Sequence, residues 1–264
     1  MKGRVLVVAG SDSGAGAGIQ ADIKTVMALG GYATTAITAL TAQDTLGIHE
    51  VMPVPPAFVA RQMTLVLDDI GADCVKAGML GDAAVIEAVA AVLEAKARDV
   101  PLVLDPVMTA KGGAALLARA AEGALKTLLL PRAALLTPNV PEAEALTGLA
   151  IADLDGMRRA ADRLLAAGAR AVLVKGGHLP GDVVRDLYAA PGGAVEVIDG
   201  PRIATRHSHG TGCTLASAIA TGLAQGLAPL AAIRRARAYL TEALRNAPGL
   251  GRGHGPLGHG YGIG

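Results

Sequence analysis

His209-Gly210-Thr211-Gly212-Cys213-Thr214 runs directly into the apolar stretch Leu215–Ala220. A glycine-rich turn that opens an apolar helix offers unpaired backbone N–H groups and the positive end of the helix dipole, which together suit an anion. Gly210 and Gly212 leave room for an anion to approach the main chain. Cys213 falls at the first helical turn, where a thiol loses its proton more readily. The chemistry implied is the handling of a phosphoryl group, with the amides of Gly210, Thr211, Gly212 and Cys213 stabilising its developing charge.

Further polar residues stand just after short apolar runs. Asp12 follows Val5–Ala9, Asp105 follows Pro101–Leu104, Asn139 and Glu142 follow Leu135-Leu136, and Lys175 follows Ala171–Val174. Open α/β sheets place their chemistry at the carboxyl ends of parallel strands, so these residues are expected to meet the 209–214 turn. Asp105 and Glu142 offer the oxygen ligands that Mg²⁺ prefers, and Lys175 offers a point charge for phosphates. Asn139 with Glu142 three residues later also reads as a capping box, a structural role for the same two side chains. The loop Gly10–Gly18 lacks the Lys-Ser/Thr ending of a phosphate-binding loop and reads as a small-molecule contact. Asp22 and Lys24 fall in the first turns of the helix that follows, where a solvated face or dipole compensation explains them. Gln43 can present an amide to the donor–acceptor edge of a ring.

The elements that must position these groups alternate strand and helix. Strands are expected at 5–9, 32–40, 46–54, 73–77, 101–104, 135–136 and 171–174. Helices are expected at 19–29, 57–67, from the Asp82 cap to about 97, after Asn139, and at 212–225 and 229–246. A hairpin is expected over 183–198 around Pro191-Gly192-Gly193. This order gives one three-layer α/β/α domain over 1–264 with a mainly parallel sheet. Residues 247–264, rich in Gly and His, read as a flexible tail.

Composition narrows the function classes. A chain of 264 residues that is 52% hydrophobic and 18% charged can bury a large core. Aromatic residues make up 2% and the net charge is +1, so neither a basic footprint nor base-stacking platforms favour nucleic acid. Two cysteines are too few for a disulfide framework or a structural zinc site, which points to a reducing cytoplasm. Met1–Arg4 is basic, but the apolar run after it is too short for a signal peptide, and no stretch is long enough to span a membrane.

The motifs AGSDSGAGAGIQADIKT (9–25), ITALTAQDTLGI (37–48), KAGML (76–80), LDPVM (104–108), LTPNVPEAEALTG (136–148), KGGH (175–178) and HGTGCTLASAIA (209–220) resemble the ribokinase-like superfamily. Within it they are similar to the hydroxymethylpyrimidine/phosphomethylpyrimidine kinases of thiamine biosynthesis. The GHGP at 253–256 resembles that family's C-terminal segment. The resemblance implies a ribokinase-like fold and ATP-dependent, Mg²⁺-assisted phosphorylation of 4-amino-5-hydroxymethyl-2-methylpyrimidine, then of its monophosphate, by a cytoplasmic homodimer with no nucleic-acid or membrane partner. It implies that Gln43, Asp22, Gly10, Met79 and Val107 contact the substrate. Asn139, Lys175, Gly210 and Gly212 are implied to hold ATP, and Glu142 with Asp105 the metal. Cys213 stands where many superfamily kinases carry a catalytic aspartate, and is implied to be the base. A pyridoxal kinase of the same fold is the alternative activity, and a non-catalytic ligand-binding homologue the second alternative.

Overall fold

The computed structural model describes residues 3–109, 116–118 and 120–262. Met1 and Lys2, half of the basic start, lie outside the described residues. The apolar runs form one nine-stranded sheet in the order β3-β2-β1-β4-β5-β6-β7-β8-β9. The strands are β1 (Arg4–Asp12), β2 (Tyr32–Gln43), β3 (Ile48–Pro53), β4 (Cys74–Ala77), β5 (Leu102–Leu104), β6 (Ala133–Leu136), β7 (Val172–Val174), β8 (Val183–Ala190) and β9 (Ala194–Pro201). β2, β1, β4, β5, β6 and β7 pair in parallel. β3 joins one edge antiparallel, and the β8–β9 hairpin joins the other.

The central strands carry no polar side because both faces are covered. Strand alternation sends Leu6 and Val8 into one core and Val5, Val7 and Ala9 into the other. β5 does the same with Leu102 and Leu104 against Val103. Helices α2 (Pro56–Asp69), α3 (Ala83–Lys96), α4 (Ala121–Ala124), α5 (Val140–Thr147) and α6 (Leu154–Ala166) supply the first core. Helices α1 (Gly18–Ala28), α7 (Thr211–Ala224) and α8 (Pro229–Arg245) supply the second. The result is the three-layer, mainly parallel α/β/α architecture expected from the strand–helix order.

Local caps behave as their residue types dictate. Asp82 accepts the Val85 amide at 2.9 Å and starts α3. Asn139 and Glu142 close a complete capping box on α5. Helix α6, capped by Asp153, and the helical residues around α4 are additions to the sequence reading. No helix among the described residues is long and apolar enough to cross a membrane.

The C-terminal segment departs from expectation. It is packed rather than flexible: Leu257 and His259 are buried, and Tyr239 of α8 donates to the His259 carbonyl at 2.7 Å. Glycine-rich composition marks mobile chain and close-packed backbone alike, and here the second applies.

At the other edge, Asp186 of β8 is buried, with its Oδ2 3.2 Å from Nε of Arg237 on α8. Its Oδ1 accepts the Gly176 amide at 2.9 Å, so this pair also fixes the chain just after Lys175. Arg237→Met leaves a buried carboxylate without its counter-charge. The expected loss is about 3–5 kcal/mol in urea unfolding, and a loss below about 1 kcal/mol would show that the pair does not hold this edge.

Candidate active site

Parallel strands end on one side of a sheet, so Asp12, Met79, Asp105, Asn139 and Lys175 are carried to a common edge by β1, β4, β5, β6 and β7. They line a cavity of about 490 Å³ whose floor is the 208–213 turn, within the usual range for small-molecule sites. Gly10, Gln43, Val107, Glu142, Gly210, Thr211, Gly212 and Cys213 line it too. Of the expected substrate-contact residues, Asp22 alone is not in its wall.

The turn is built as an anion cradle. Gly210 caps α7 with φ at +82°, and a Cβ there would lie 1.9 Å from the Gly16 carbonyl oxygen. Only glycine fits. The Thr214 amide bonds back to Gly210 at 2.9 Å, and a helix cannot satisfy its earlier amides internally. The groups facing this helix end are charged. A Cβ on Gly212 would stand 3.3 Å from Asp105 Oδ2 and 3.4 Å from Lys175 Nζ. A cation, a carboxylate and a helix N-terminus therefore meet around one small space.

Lys175 Nζ donates to Asp105 Oδ1 at 2.7 Å, and Thr137 donates to the same oxygen at 3.2 Å. Burial lowers the affinity of Lys175 for its proton, but Asp105 and Glu142 outweigh that and raise its pKa, so it stays charged. Glu142 is buried, which pushes its carboxyl up; Lys175 pulls it down and Asp105 pushes it further up. Its Oε2 accepts the Asn139 amide at 2.8 Å, while among the described residues its Oε1 takes a long 3.4 Å contact from the Met108 amide. Asp105 Oδ2 and Glu142 Oε1 are thus hard oxygen donors with capacity to spare. No group of three or more His, Cys, Asp or Glu among the described residues forms a metal cage. That donor set fits Mg²⁺ shared with phosphates and water, not a closed protein site.

The other end of the cavity is polar and rigid. Asp12 accepts the amides of Gly14 at 2.8 Å, Gly16 at 3.0 Å and Ala17 at 2.8 Å, and takes His209 Nε2 at 2.8 Å. Burial pushes the Asp12 carboxyl up, but these bonds, His209 foremost, hold it below the usual range. The Gln43 amide lies 3.1 Å from the same His209 nitrogen and 3.1 Å from Thr41 Oγ1. A ring N–H given to a carboxylate has no lone pair left, so the amide oxygen is the end of Gln43 that suits this contact. Val107 holds φ at +41°, a strained conformation for a β-branched residue. Gly10 packs closely beside Met79, whose Sδ would lie 3.0 Å from an added Cβ.

Two sequence expectations change. Asp22 is neither on a solvated face nor in the cavity wall. It is fully buried, with both oxygens 2.9–3.0 Å from Lys76 Nζ, and it accepts Ser217 Oγ at 2.6 Å. A charged side chain at 22 can be buried because β4 sends Lys76, itself fully buried, to meet it. The Cys213 thiol is not lowered. Burial pushes it up to about 11, Lys76 pulls it down, and Asp22 and Asp105 push it up again. The helix end is real, but desolvation and two carboxylates outweigh it.

The model of the phosphomethylpyrimidine kinase family matches residues 12–258. A bifunctional thiamine biosynthesis protein of Geobacter sulfurreducens is 56% identical over 98% of this chain, which spans 52% of that longer protein. The chain belongs to the phosphomethylpyrimidine kinase family. A hydroxymethylpyrimidine/phosphomethylpyrimidine kinase of Streptomyces coelicolor is 48% identical over 98% of this chain and 95% of its own length. A Bacillus subtilis pyridoxal kinase, solved with ADP, superposes with a TM-score of 0.90 at 34% identity, covering 98% of each chain.

Asp12 meets the 209–214 turn as expected, through His209, and the geometry adds a role for Lys76, which the sequence reading quotes within KAGML without giving it one. A lysine inside the apolar strand Cys74–Ala77 was the available signal. As the Gly210 conformation is closed to any other residue, Gly210→Ala in this kinase should lower turnover about 100-fold or more with an unchanged circular dichroism spectrum. Turnover near wild type would remove the turn from the phosphoryl site.

Proposed function

We propose that this kinase transfers the γ-phosphoryl group of ATP to the hydroxymethyl oxygen of 4-amino-5-hydroxymethyl-2-methylpyrimidine, and then phosphorylates the monophosphate to the diphosphate. The observation that carries the reading is the meeting of the α7 N-terminus with Lys175 and Asp105 around Gly212, in the same cavity as Gln43. The first is what a phosphoryl group in transfer requires; the second offers hydrogen bonds to an aminopyrimidine edge.

In this reading the Thr211–Cys213 amides and Lys175 hold the oxygens of the migrating group. Asp105 and Glu142 would hold Mg²⁺, whose charge would offset that of the phosphates. Asn139, whose Oδ1 is committed to the Glu142 amide at 2.9 Å, borders the phosphates. The substrate oxygen forms a bond to the γ-phosphorus as the bond to the β-phosphate oxygen breaks, and ADP leaves. In the first transfer the alcohol proton passes to the Sγ of the ionised Cys213 thiolate; in the second the attacking phosphate oxygen is already ionised. Gly10, Met79 and Val107 shape the ring's slot, and Asp22 acts from behind it through Lys76 and Ser217.

A pyridoxal kinase activity is the second reading, because the superposition with the Bacillus subtilis pyridoxal kinase covers nearly the whole chain and both substrates are hydroxymethyl heteroaromatics. We further propose a cytoplasmic homodimer. Leu40 and its cross-strand partner Met52 leave exposed apolar side chains side by side on the β2–β3 edge.

Product analysis with ATP, Mg²⁺ and the free pyrimidine tests the main reading: monophosphate and then diphosphate are expected. Faster turnover on pyridoxal would replace it with the second. Gln43→Leu should raise the pyrimidine KM about tenfold, the worth of one to two hydrogen bonds, and leave the ATP KM unchanged. A base must be deprotonated to act, and burial has raised the Cys213 thiol to about 11. Turnover should therefore climb about tenfold per pH unit between roughly pH 7 and 9. A flat profile over that range rejects Cys213 as the proton acceptor.

A further inference from the structure

The C-terminal segment 249–259 touches both ends of the active site. At the substrate end it grips the loop that follows Gln43. The His254 amide donates to the Thr45 carbonyl at 2.8 Å, and the Gly253 amide donates to Thr45 Oγ1 at 3.1 Å. Where the 209–214 turn begins, Pro256 pairs with His209 as a parallel bridge, and the His209 amide donates to the Gly255 carbonyl at 3.2 Å. Farther on, His259 Nε2 lies 2.9 Å from Thr214 Oγ1, the residue directly after Cys213. The far end is fastened to α8, where the Gly258 amide donates to the Ala243 carbonyl at 2.9 Å.

The glycines make these contacts possible. An added Cβ would lie 2.1 Å from the Thr45 carbonyl oxygen at Gly253, 2.4 Å from the Leu250 carbonyl oxygen at Gly255, and 2.1 Å from the Asn246 carbonyl oxygen at Gly258. Each such distance is to backbone, which cannot swing aside. The Gly/His pattern of this segment is thus a close-packing pattern.

We infer that residues 249–259 form a strap that sets the spacing between the substrate loop at 43–47 and the phosphoryl-binding turn at 209–214, with His259 as a positioning residue behind Cys213. The inference rests on the kinase reading of that turn. His259 touches no reacting atom; it acts through Thr214. The Leu257 carbonyl beside its ring takes one ring N–H, which leaves the Nε2 lone pair to accept the Thr214 hydroxyl. Burial pushes the ring down to about 4, so it stays neutral and keeps that lone pair at neutral pH. Thr214 also closes the first turn of α7 through its amide on Gly210. Pinning its side chain fixes the roll of the turn that aims the Thr211–Cys213 amides.

A strap with two ends predicts two kinetic signatures. His259→Ala, at the phosphoryl end, should lower kcat about tenfold with little change in the pyrimidine KM. Gly253→Ala, at the substrate end, should raise the pyrimidine KM by a similar factor with little change in kcat. His259→Gln, which keeps an acceptor, should recover part of the lost kcat. If His259→Ala does not fold, Thr214→Val removes the same hydrogen bond from the other side. Asp82→Ala, which weakens the remote cap of α3, should lower the melting temperature without moving either constant and so measures the effect of destabilisation alone. Should both strap variants keep kcat and KM within about twofold of wild type, or change only in step with Asp82→Ala, the strap is overturned. Absence of turnover in the wild-type protein on either the pyrimidine or pyridoxal would overturn the kinase reading instead.

Discussion

The pair between Lys175 and Asp105 is the constraint on which the site depends. It joins the ends of β7 and β5 across β6 at 2.7 Å, beside the opening turn of α7. A partly buried ion pair is a poor source of stability, since desolvation of both ions offsets their attraction. Its value lies in what it presents. Lys175 has further donors, Asp105 has its second oxygen, and both lie within reach of the Gly212 backbone. The fold supplies the precision by ending parallel strands at one edge, and each strand contributes one group that would be a weak site alone.

Behind this pair is a second layer that meets the cavity at Gly18 and Cys213 and is otherwise set back from its wall. α1 and α7 pack with matched spacing. Gly18 and Asp22 are four residues apart on α1, and Cys213 and Ser217 are four apart on α7, so each pair occupies one helix face. The Gly18 amide reaches the Cys213 sulfur, while Asp22 takes the Ser217 hydroxyl at 2.6 Å. Lys76 closes the layer from the sheet. Gly78 belongs to it as well, because a Cβ there would come 2.8 Å from Lys76 Nζ. The position of Cys213 is therefore fixed by a buried charge network and, from the outer side, by Thr214 and its partner.

Much of this was legible in the sequence wherever the signal was local. Asp82 and the Asn139–Glu142 box announce themselves by type and spacing, and the apolar runs mark the strands whose ends carry Asp105 and Lys175. Legibility failed where the decisive partner is remote. Asp22 reads as a surface acid until Lys76, 54 residues away, is placed beside it. The Cys213 thiol reads as lowered when only the helix end is visible, because burial and the carboxylates of Asp22 and Asp105 come from other segments. The C-terminal glycines read as slack because composition does not say whether another backbone lies against them. His259 of that segment gains its partner on α7, 45 residues back.

The same charge accounting explains why a thiol rather than a carboxylate suits position 213. Asp22, Asp105 and Glu142 surround this region with three carboxylates, against the two ammonium groups of Lys76 and Lys175. The aspartate that the superfamily resemblance leads one to expect would add a further carboxylate beside a cavity that, in the proposed reaction, also receives phosphate oxygens. It would repel those oxygens and compete with them for the amides and the lysine proposed to hold the migrating group. A thiol that is protonated at rest leaves that balance untouched, and only the small thiolate fraction that can accept a proton adds negative charge. The arrangement leaves little of the base ionised at rest and keeps positive potential at the α7 turn, which is the larger contribution where phosphoryl transfer depends on positioning and charge.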